Sequence, residues 1–346
     1  MHGRVRKEKP PSESEIENDR KKSAMYNKLV DIVFACRAKK EHNTTILDLT
    51  SKVLKSNPDV YSIWNFRREI FLELYSDLGV CSEVPVAKVS QDSSKDVVAV
   101  ELALSTEAIK KNSKSYGAWY HRVWIVDRFE VNVNAELALC TEFLTYDQRN
   151  FHCWNYRRYL VSMASSVTHA SEFQFSTDKI SENFSNYSAF HHRSVYIESL
   201  VSAADTVEKN QENNQSLFEE EFSIIENAVF TEPDDQSAWW YYHFLLKFAV
   251  KNLSLESTWF EGELRRQLET LDSLLEVEPS SKWCMLAKMF LITTLLEVAE
   301  GMSGEGAGGR SDLLAVRQAV AEGLCVLDPA HVNRYRYMLN GFNTTS

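Results

Sequence analysis

Proline and glycine are scarce in this chain, at 7 and 11 of 346 residues. An architecture with many tight turns needs more of both, so the scarcity favours helices over β structure. None of the six cysteines (Cys36, Cys81, Cys140, Cys153, Cys284, Cys325) forms a CxxC pair. That spacing excludes a zinc finger or a disulfide frame and reads as reduced, mostly buried thiols. No apolar run approaches membrane-spanning length, and the opening MHGRVRKEKPPSESE lacks the apolar core of a signal peptide. The expectation is a cytoplasmic chain with no transmembrane segment, in which triplets such as Asn183-Phe-Ser185 are incidental. No Lys/Arg-rich run occurs beyond the N-terminal tail, and the net charge is -11. A phosphate backbone needs a basic stripe, so no nucleic-acid partner is expected.

What the chain does have is apolar bulk. Hydrophobic residues make up 44%, with 8 Trp, 14 Tyr and 18 Phe, enough for a large core or an extended repeat array.

A repeated unit organises that bulk. ELALSTEAIKKNSKSYGAWYHRVWIV starts at Glu101, and ELALCTEFLTYDQRNFHCWNYRRYLV starts at Glu136, 35 residues later. Weaker copies centre on Trp64, Phe190 and Trp239, and degraded copies surround Trp283 and the segment AVRQAVAEGLCVLDPAHVNRYRYM. Each copy reads as a helical hairpin. Leu137, Cys140 and Leu144 recur at helical spacing, a polar turn such as Asn57-Pro58-Asp59 follows, and the second helix carries an aromatic anchor with Arg three positions on. The pairs are Trp64/Arg67, Trp119/Arg122, Trp154/Arg157 and Phe190/Arg193, with Tyr242 replacing Arg after Trp239. Positions i and i+3 share a helix face. The ring should therefore fill the core between repeats, while Arg meets a carboxylate or a helix C-terminus.

A lone hairpin cannot bury its apolar face, so neighbours must stack. Residues 1–20 read as a disordered tail, 21–340 as one superhelical domain of about six to seven hairpins, and 341–346 as a C-terminal tail. A helix with Met25, Leu29, Ile32, Val33 and Cys36 on one face is expected to cap the array. GVCSEVPVAKVSQDSSKD, DTVEKNQENNQS and GMSGEGAGGR (301–310) read as loops between units.

Local motifs for chemistry are few. Gly304-x-Gly306-x-x-Gly309 matches a dinucleotide fingerprint in letters, but it lacks the strand-to-helix context that makes that motif work. His121, His152, His191 and His192 stand near the anchors without zinc spacing, so they read as core or surface side chains.

The units resemble the protein prenyltransferase α-subunit repeat from about residue 25 to 340. Asn112-Ser-Lys114-Ser-Tyr116-Gly-Ala-Trp119, Arg149-Asn-Phe-His-Cys-Trp154, Asn183-Phe-Ser-Asn-Tyr187-Ser and the opening Met1-His2-Gly3-Arg4 are similar to the branch that acts on Rab GTPases. The resemblance implies an all-α, right-handed superhelical solenoid, tetratricopeptide-like and crescent-shaped. It implies a heterodimer with a β subunit that holds zinc and the isoprenoid. That pair would transfer geranylgeranyl from geranylgeranyl diphosphate to C-terminal cysteines of Rab GTPases presented by an escort protein. Lys114 matches the family lysine that approaches the diphosphate, and Tyr116 and Asn150 match rim positions. The MHGR start resembles a segment able to fold back toward the partner's zinc, with His2 as donor. No cofactor is expected in this chain alone. Immunoglobulin-like and leucine-rich segments that some members carry are not expected here, so their functions are not carried over. The alternatives are the α subunit shared by farnesyltransferase and type I geranylgeranyltransferase, acting on CaaX substrates, and a non-catalytic helical-repeat adaptor.

Overall fold

The computed structural model describes residues 10, 12–75, 91–164, 167–201, 207–252, 258–301 and 307–340. Every regular element among them is helical, and no strand occurs among the described residues. The chain divides into two compact units, Met1–Ala164 and Ser165–Ser346.

The first unit contains α1 (Glu13–Ala38), α2 (Thr44–Ser56), α3 (Tyr61–Leu74), α4 (Gln91–Lys111), α5 (Tyr116–Arg128), α6 (Val133–Tyr146) and α7 (Phe151–Met163). Helices pair as α2/α3, α4/α5 and α6/α7, and the second helices of the pairs pack in series, α3 on α5 and α5 on α7. The second unit contains α8 (His169–Glu182), α9 (Tyr187–Val201), α10 (Val207–Thr231), α11 (Gln236–Asn252), α12 (Thr258–Val277), α13 (Lys282–Gly301), α14 (Ala307–Leu327) and α15 (Val332–Asn340). They pair as α8/α9, α10/α11, α12/α13 and α14/α15, with α9 on α11 and α11 on α13.

Four helix starts differ from the sequence reading. Helix α1 begins at Glu13, inside the stretch read as a disordered tail. Ser12 and Glu15 explain it, because they form a capping box that satisfies two N-terminal amides reciprocally. Of the stripe proposed for α1, Val33 is fully buried, but Met25 and Ile32 face outward. Tyr26 takes part instead, its hydroxyl accepting from Asn57 Nδ2 at 3.2 Å. The three polar segments read as loops are partly helical, since α4 starts at Gln91, α10 at Val207 and α14 at Ala307. Runs of Lys, Glu, Gln and Asn hold good helix formers but leave no apolar stripe to read in the letters. Gly301 ends α13, and the remainder of those segments, with Cys81, Gly304 and Gly306, lies outside the described residues. The other five cysteines are free thiols.

Candidate functional site

The turn inside each hairpin is built by one device. The indole Nε1 of the anchor donates to the carbonyl six residues before it. Trp64 donates to Pro58 O at 2.8 Å, Trp119 to Ser113 O at 3.0 Å, Trp154 to Gln148 O at 2.8 Å and Trp239 to Pro233 O at 2.8 Å. A side-chain oxygen at the start of the turn accepts from the amide two residues on, as Asn57 does from Asp59, Asn112 from Lys114, Asp147 from Arg149 and Asn183 from Ser185. These are Asx turns, and they stop the first helix while aiming the second. Phe190 fills the same buried position with no N–H to give.

The same geometry corrects the sixth copy. Met285 N bonds Ser281 O at 3.1 Å, as Trp154 N bonds Asn150 O. Met285 therefore holds the anchor position, and Trp283 packs beside it at the edge of the cluster of Leu286, Met289, Ala321, Leu324 and Tyr335. In the last copy the anchor is Tyr335, whose hydroxyl donates to Asp328 Oδ2 at 2.7 Å. That contact and burial push the Tyr335 phenol up to about 12, burial being the larger cause.

The arginines tie consecutive hairpins together. Arg67 donates from Nε to Glu101 Oε2 at 2.7 Å, and its Nη1 donates to Leu47 O, Thr50 Oγ1 and Ser51 Oγ. Arg122 repeats this on Glu136, Leu102 O, Ser105 and Thr106, and Arg193 on Glu221, Phe173 O, Ser176 and Thr177. Arg157 donates to Leu137 O at 3.3 Å and to Thr141 Oγ1 at 3.2 Å. Each carboxylate also receives a donor from its own hairpin, two places after the anchor. His121 Nε2 meets Glu101 at 2.9 Å, Tyr156 OH meets Glu136 at 2.6 Å, His192 Nε2 meets Glu172 at 2.9 Å and Tyr241 OH meets Glu221 at 2.5 Å. Burial works against the charge on Glu101, but the His121 and Arg67 contacts outweigh it and hold the carboxyl at about 2. Burial lowers the His121 imidazole, so it is neutral and donates from Nε2, with Nδ1 unpartnered among the described residues.

These glutamates escape a reading centred on Trp and Arg. The available signal was the Glu that opens both strong repeats, Glu101 and Glu136. After Trp239 the arrangement changes, since Tyr242 has no guanidinium and its buried hydroxyl lacks a partner among the described residues. Arg266 takes over from α12, contacting Glu263 and Glu226.

Against this frame of satisfied turns, one place presents chemistry outward. Lys114 sits in the α4–α5 turn, and its Nζ donates to Asp147 Oδ2 at 2.6 Å, both side chains about one-third exposed, 32% and 34%. Tyr116 opens α5 and is 67% exposed. Its ring stands edge-on to His152 at 4.3 Å and 6.1 Å from Phe151. His152 is buried and stacks near Trp119, and burial first, then the Lys114 charge, lowers its pKa. Asn150, expected at the rim, is buried in this chain, at 2% exposure. Its Oδ1 caps α7 by accepting from His152 N and Cys153 N, and its Nδ2 donates to Ser113 O at 3.0 Å. Asn150 thus locks the Asp147 turn onto the Lys114 turn and sets the distance between those two side chains. Lys110 leans on Glu142 at 3.4 Å, away from the Lys114 contact. No group of three or more His, Cys, Asp or Glu that could hold a metal occurs among the described residues, and His2 lies outside them.

Stacked hairpins with an indole-closed turn and an arginine link define a protein prenyltransferase α-subunit repeat protein. The model of that repeat matches residues 44–74, 99–129, 133–164, 169–200 and 218–249. Geranylgeranyl transferase type-2 subunit alpha of Saccharomyces cerevisiae is 32% identical over 98% of this chain and 99% of its own length. The Schizosaccharomyces pombe subunit of the same name is 32% identical over 82% and 83%. The Rattus norvegicus subunit is 36% identical over 71% of this chain, which spans only 42% of that relative's length. The chain belongs to the family of geranylgeranyl transferase type-2 α subunits. A chain of the solved Candida albicans protein geranylgeranyltransferase-I complexed with GGPP has the same fold, with a TM-score of 0.61 at 18% identity, covering 92% of this chain and 90% of that one.

Proposed function

We propose that this chain is the α subunit of a heterodimeric protein geranylgeranyltransferase of type 2. With a β subunit it transfers the geranylgeranyl group of geranylgeranyl diphosphate to C-terminal cysteines of Rab GTPases presented by an escort protein. The observation that carries the reading is the end-to-end match to the Saccharomyces cerevisiae subunit. The Lys114 turn supports it, because this chain there offers an amine about one-third exposed beside an exposed phenol.

In this reading Lys114 is the chain's contribution to the chemistry. As the bond to C1 of the isoprenoid breaks, negative charge grows on the diphosphate, and an ammonium placed there stabilises the transition state more than the ground state. Asp147 holds the amine at the mouth of the turn until a stronger anion competes for it. Tyr116 offers a phenol on the same rim. Zinc belongs to the β subunit, where it supplies the thiolate form of the Rab cysteine. No helix among the described residues is long and apolar enough to cross a membrane, which suits a cytoplasmic enzyme.

The test is co-expression with β subunits of the two kinds. The chain should co-purify with a Rab-type β subunit and move labelled geranylgeranyl onto a Rab–escort complex. Pairing with a CaaX-type β subunit, with transfer to CaaX peptides only, would replace this reading by the shared α subunit. Binding to neither would leave a helical adaptor.

A further inference from the structure

Arg67 and Arg68 are neighbours with opposite fates. Every nitrogen of Arg67 is engaged, by Glu101 or by Leu47, Thr50 and Ser51 of α2. Arg68 is almost as buried, at 8% exposure, yet its Nη1 has no hydrogen-bond partner among the described residues. Its Nη2 donates to Asn65 Oδ1. A buried guanidinium with idle N–H groups is costly, and a molecule retains one where something else completes it.

The surroundings say what would complete it. Tyr61, Asn65 and Arg68 share one face of α3, and Tyr120, Trp124 and Arg128 share one face of α5. The two helices pack together. The Arg68 guanidinium lies 4.9 Å from the centroid of the Tyr120 ring, and that of Arg128 lies 4.9 Å from the centroid of Trp124. Tyr61 and Tyr120 are half exposed, at 51% and 52%. Glu69 is the carboxylate that acts on Arg68, and it is already paired with Arg37 at 2.8 Å. Desolvation is the main influence on Arg68 and lowers its pKa, as expected for a cation without its own counter-ion. Two guanidinium groups and two phenols gather here, and no carboxylate among the described residues is hydrogen-bonded to Arg68.

We infer that Arg68 is a docking point for a carboxylate side chain of the partner β subunit, received between Tyr61 and Tyr120 with Arg128 alongside. Arg and Tyr rings at the edge of a desolvated pocket are the composition of an interface hot spot. The idle Nη1 of the guanidinium can donate a charge-assisted hydrogen bond to an oxygen of Asp or Glu. The inference rests on the α-subunit reading above and adds the chemistry that its partner must bring to this face.

The experiment compares wild type, Arg68→Met and Arg68→Lys, each as the full chain. Heterodimer affinity is measured against the β subunit, and Tm is measured for the unpartnered chain with and without inorganic phosphate. Arg68→Met should weaken the heterodimer about 10- to 100-fold. It should not lower the Tm of the unpartnered chain, because it removes a buried cation that lacks a counter-ion. Arg68→Lys should recover only part of the affinity. Unchanged affinity for Arg68→Met beside a tight wild-type pair would overturn the inference alone. A phosphate-dependent rise in Tm that Arg68→Met abolishes, with affinity unchanged, would reassign the recess to a small anion. Failure of the wild-type chain to bind any β subunit would instead overturn the α-subunit reading, and this inference with it.

Discussion

A methyl group placed on Gly117 would stand 2.5 Å from Cδ1 and 2.9 Å from Nε1 of the Trp64 indole. The backbone of α5 therefore lies directly on the anchor of the preceding hairpin. Beside it, Ser115 Oγ donates to Pro58 O at 2.8 Å, the carbonyl that also receives the Trp64 indole. Gly117→Ala gains helix propensity of up to about 1 kcal/mol. The clash is with a fully buried ring, and overpacking costs typically about 1–3 kcal/mol. A net fall in Tm is expected on thermal unfolding of the chain. A rise would mean that Trp64 has room to move.

The Arg67–Glu101–His121 cluster yields a second expectation, with a sign. The folded carboxyl of Glu101 titrates at about 2, below its unfolded value of about 4.3. Its contribution is therefore fully present above pH 5 or so and disappears as pH falls toward 2. His121 is depressed by burial, so acid protonates the unfolded imidazole first, and stability begins to drop below about pH 6.5. Glu101→Gln strands a buried arginine and should cost about 3–5 kcal/mol at pH 7. Urea unfolding at pH 4 and pH 7 provides the check, since the difference between wild type and Glu101→Gln should be smaller at pH 4. Equal differences at both pH values would remove the charge from the explanation.

Trp154 separates ring from N–H. Trp154→Ala should cost about 3–5 kcal/mol through lost packing. Trp154→Phe keeps most of the ring but removes the indole N–H that donates to Gln148 O, and about 1 kcal/mol is expected from that loss. Phe190, a natural phenylalanine at the equivalent place, makes the milder outcome the reference. A melting temperature unmoved by Trp154→Ala would argue against the anchor.

Lys114 carries the kinetic prediction. Lys114→Ala should leave folding and heterodimer assembly intact, since an ion pair about one-third exposed contributes at most about 1 kcal/mol. Single-turnover transfer to a Rab–escort complex should slow by roughly one to three orders of magnitude. Lys114→Arg should recover only part, because a planar fork does not replace a compact ammonium. Lys110→Ala and Lys111→Ala serve as controls with small expected changes. A wild-type rate for Lys114→Ala would mean that this chain shapes the site without entering the reaction.

The hairpins and their anchors are legible in the sequence because a large ring every few tens of residues survives as a letter pattern. Register is legible only where the ring is also the anchor. Trp283 is the conspicuous letter in the sixth copy, yet Met285 holds the position, since an unbranched thioether fills the same space without an indole. The buried glutamates were hidden for another reason. Glu is common on exposed helix faces, and only an arginine supplied by the neighbouring hairpin makes it a core residue. Asn150 reads as a rim group because its letters fit a rim motif, while its position inside the turn depends on Ser113 O from the preceding hairpin. The site itself is half legible. Lys114 and Tyr116 stand on the surface, but Asp147, the group that holds Lys114, carries no motif.

The arginine links between hairpins have a consequence for chain length. The α4/α5 hairpin offers an acid, Glu101, to the one before it and a guanidinium, Arg122, to the one after, so the unit of exchange is the whole pair of helices. Excising α4 and α5 together would bring Arg67 to Glu136, which occupies the place of Glu101, and the connection would close again. Removing α4 alone would take the Glu101 carboxylate away from both Arg67 and His121. Length in this architecture is therefore quantised, with whole hairpins as its steps, while the stretches between the links are free to lengthen by any number of residues.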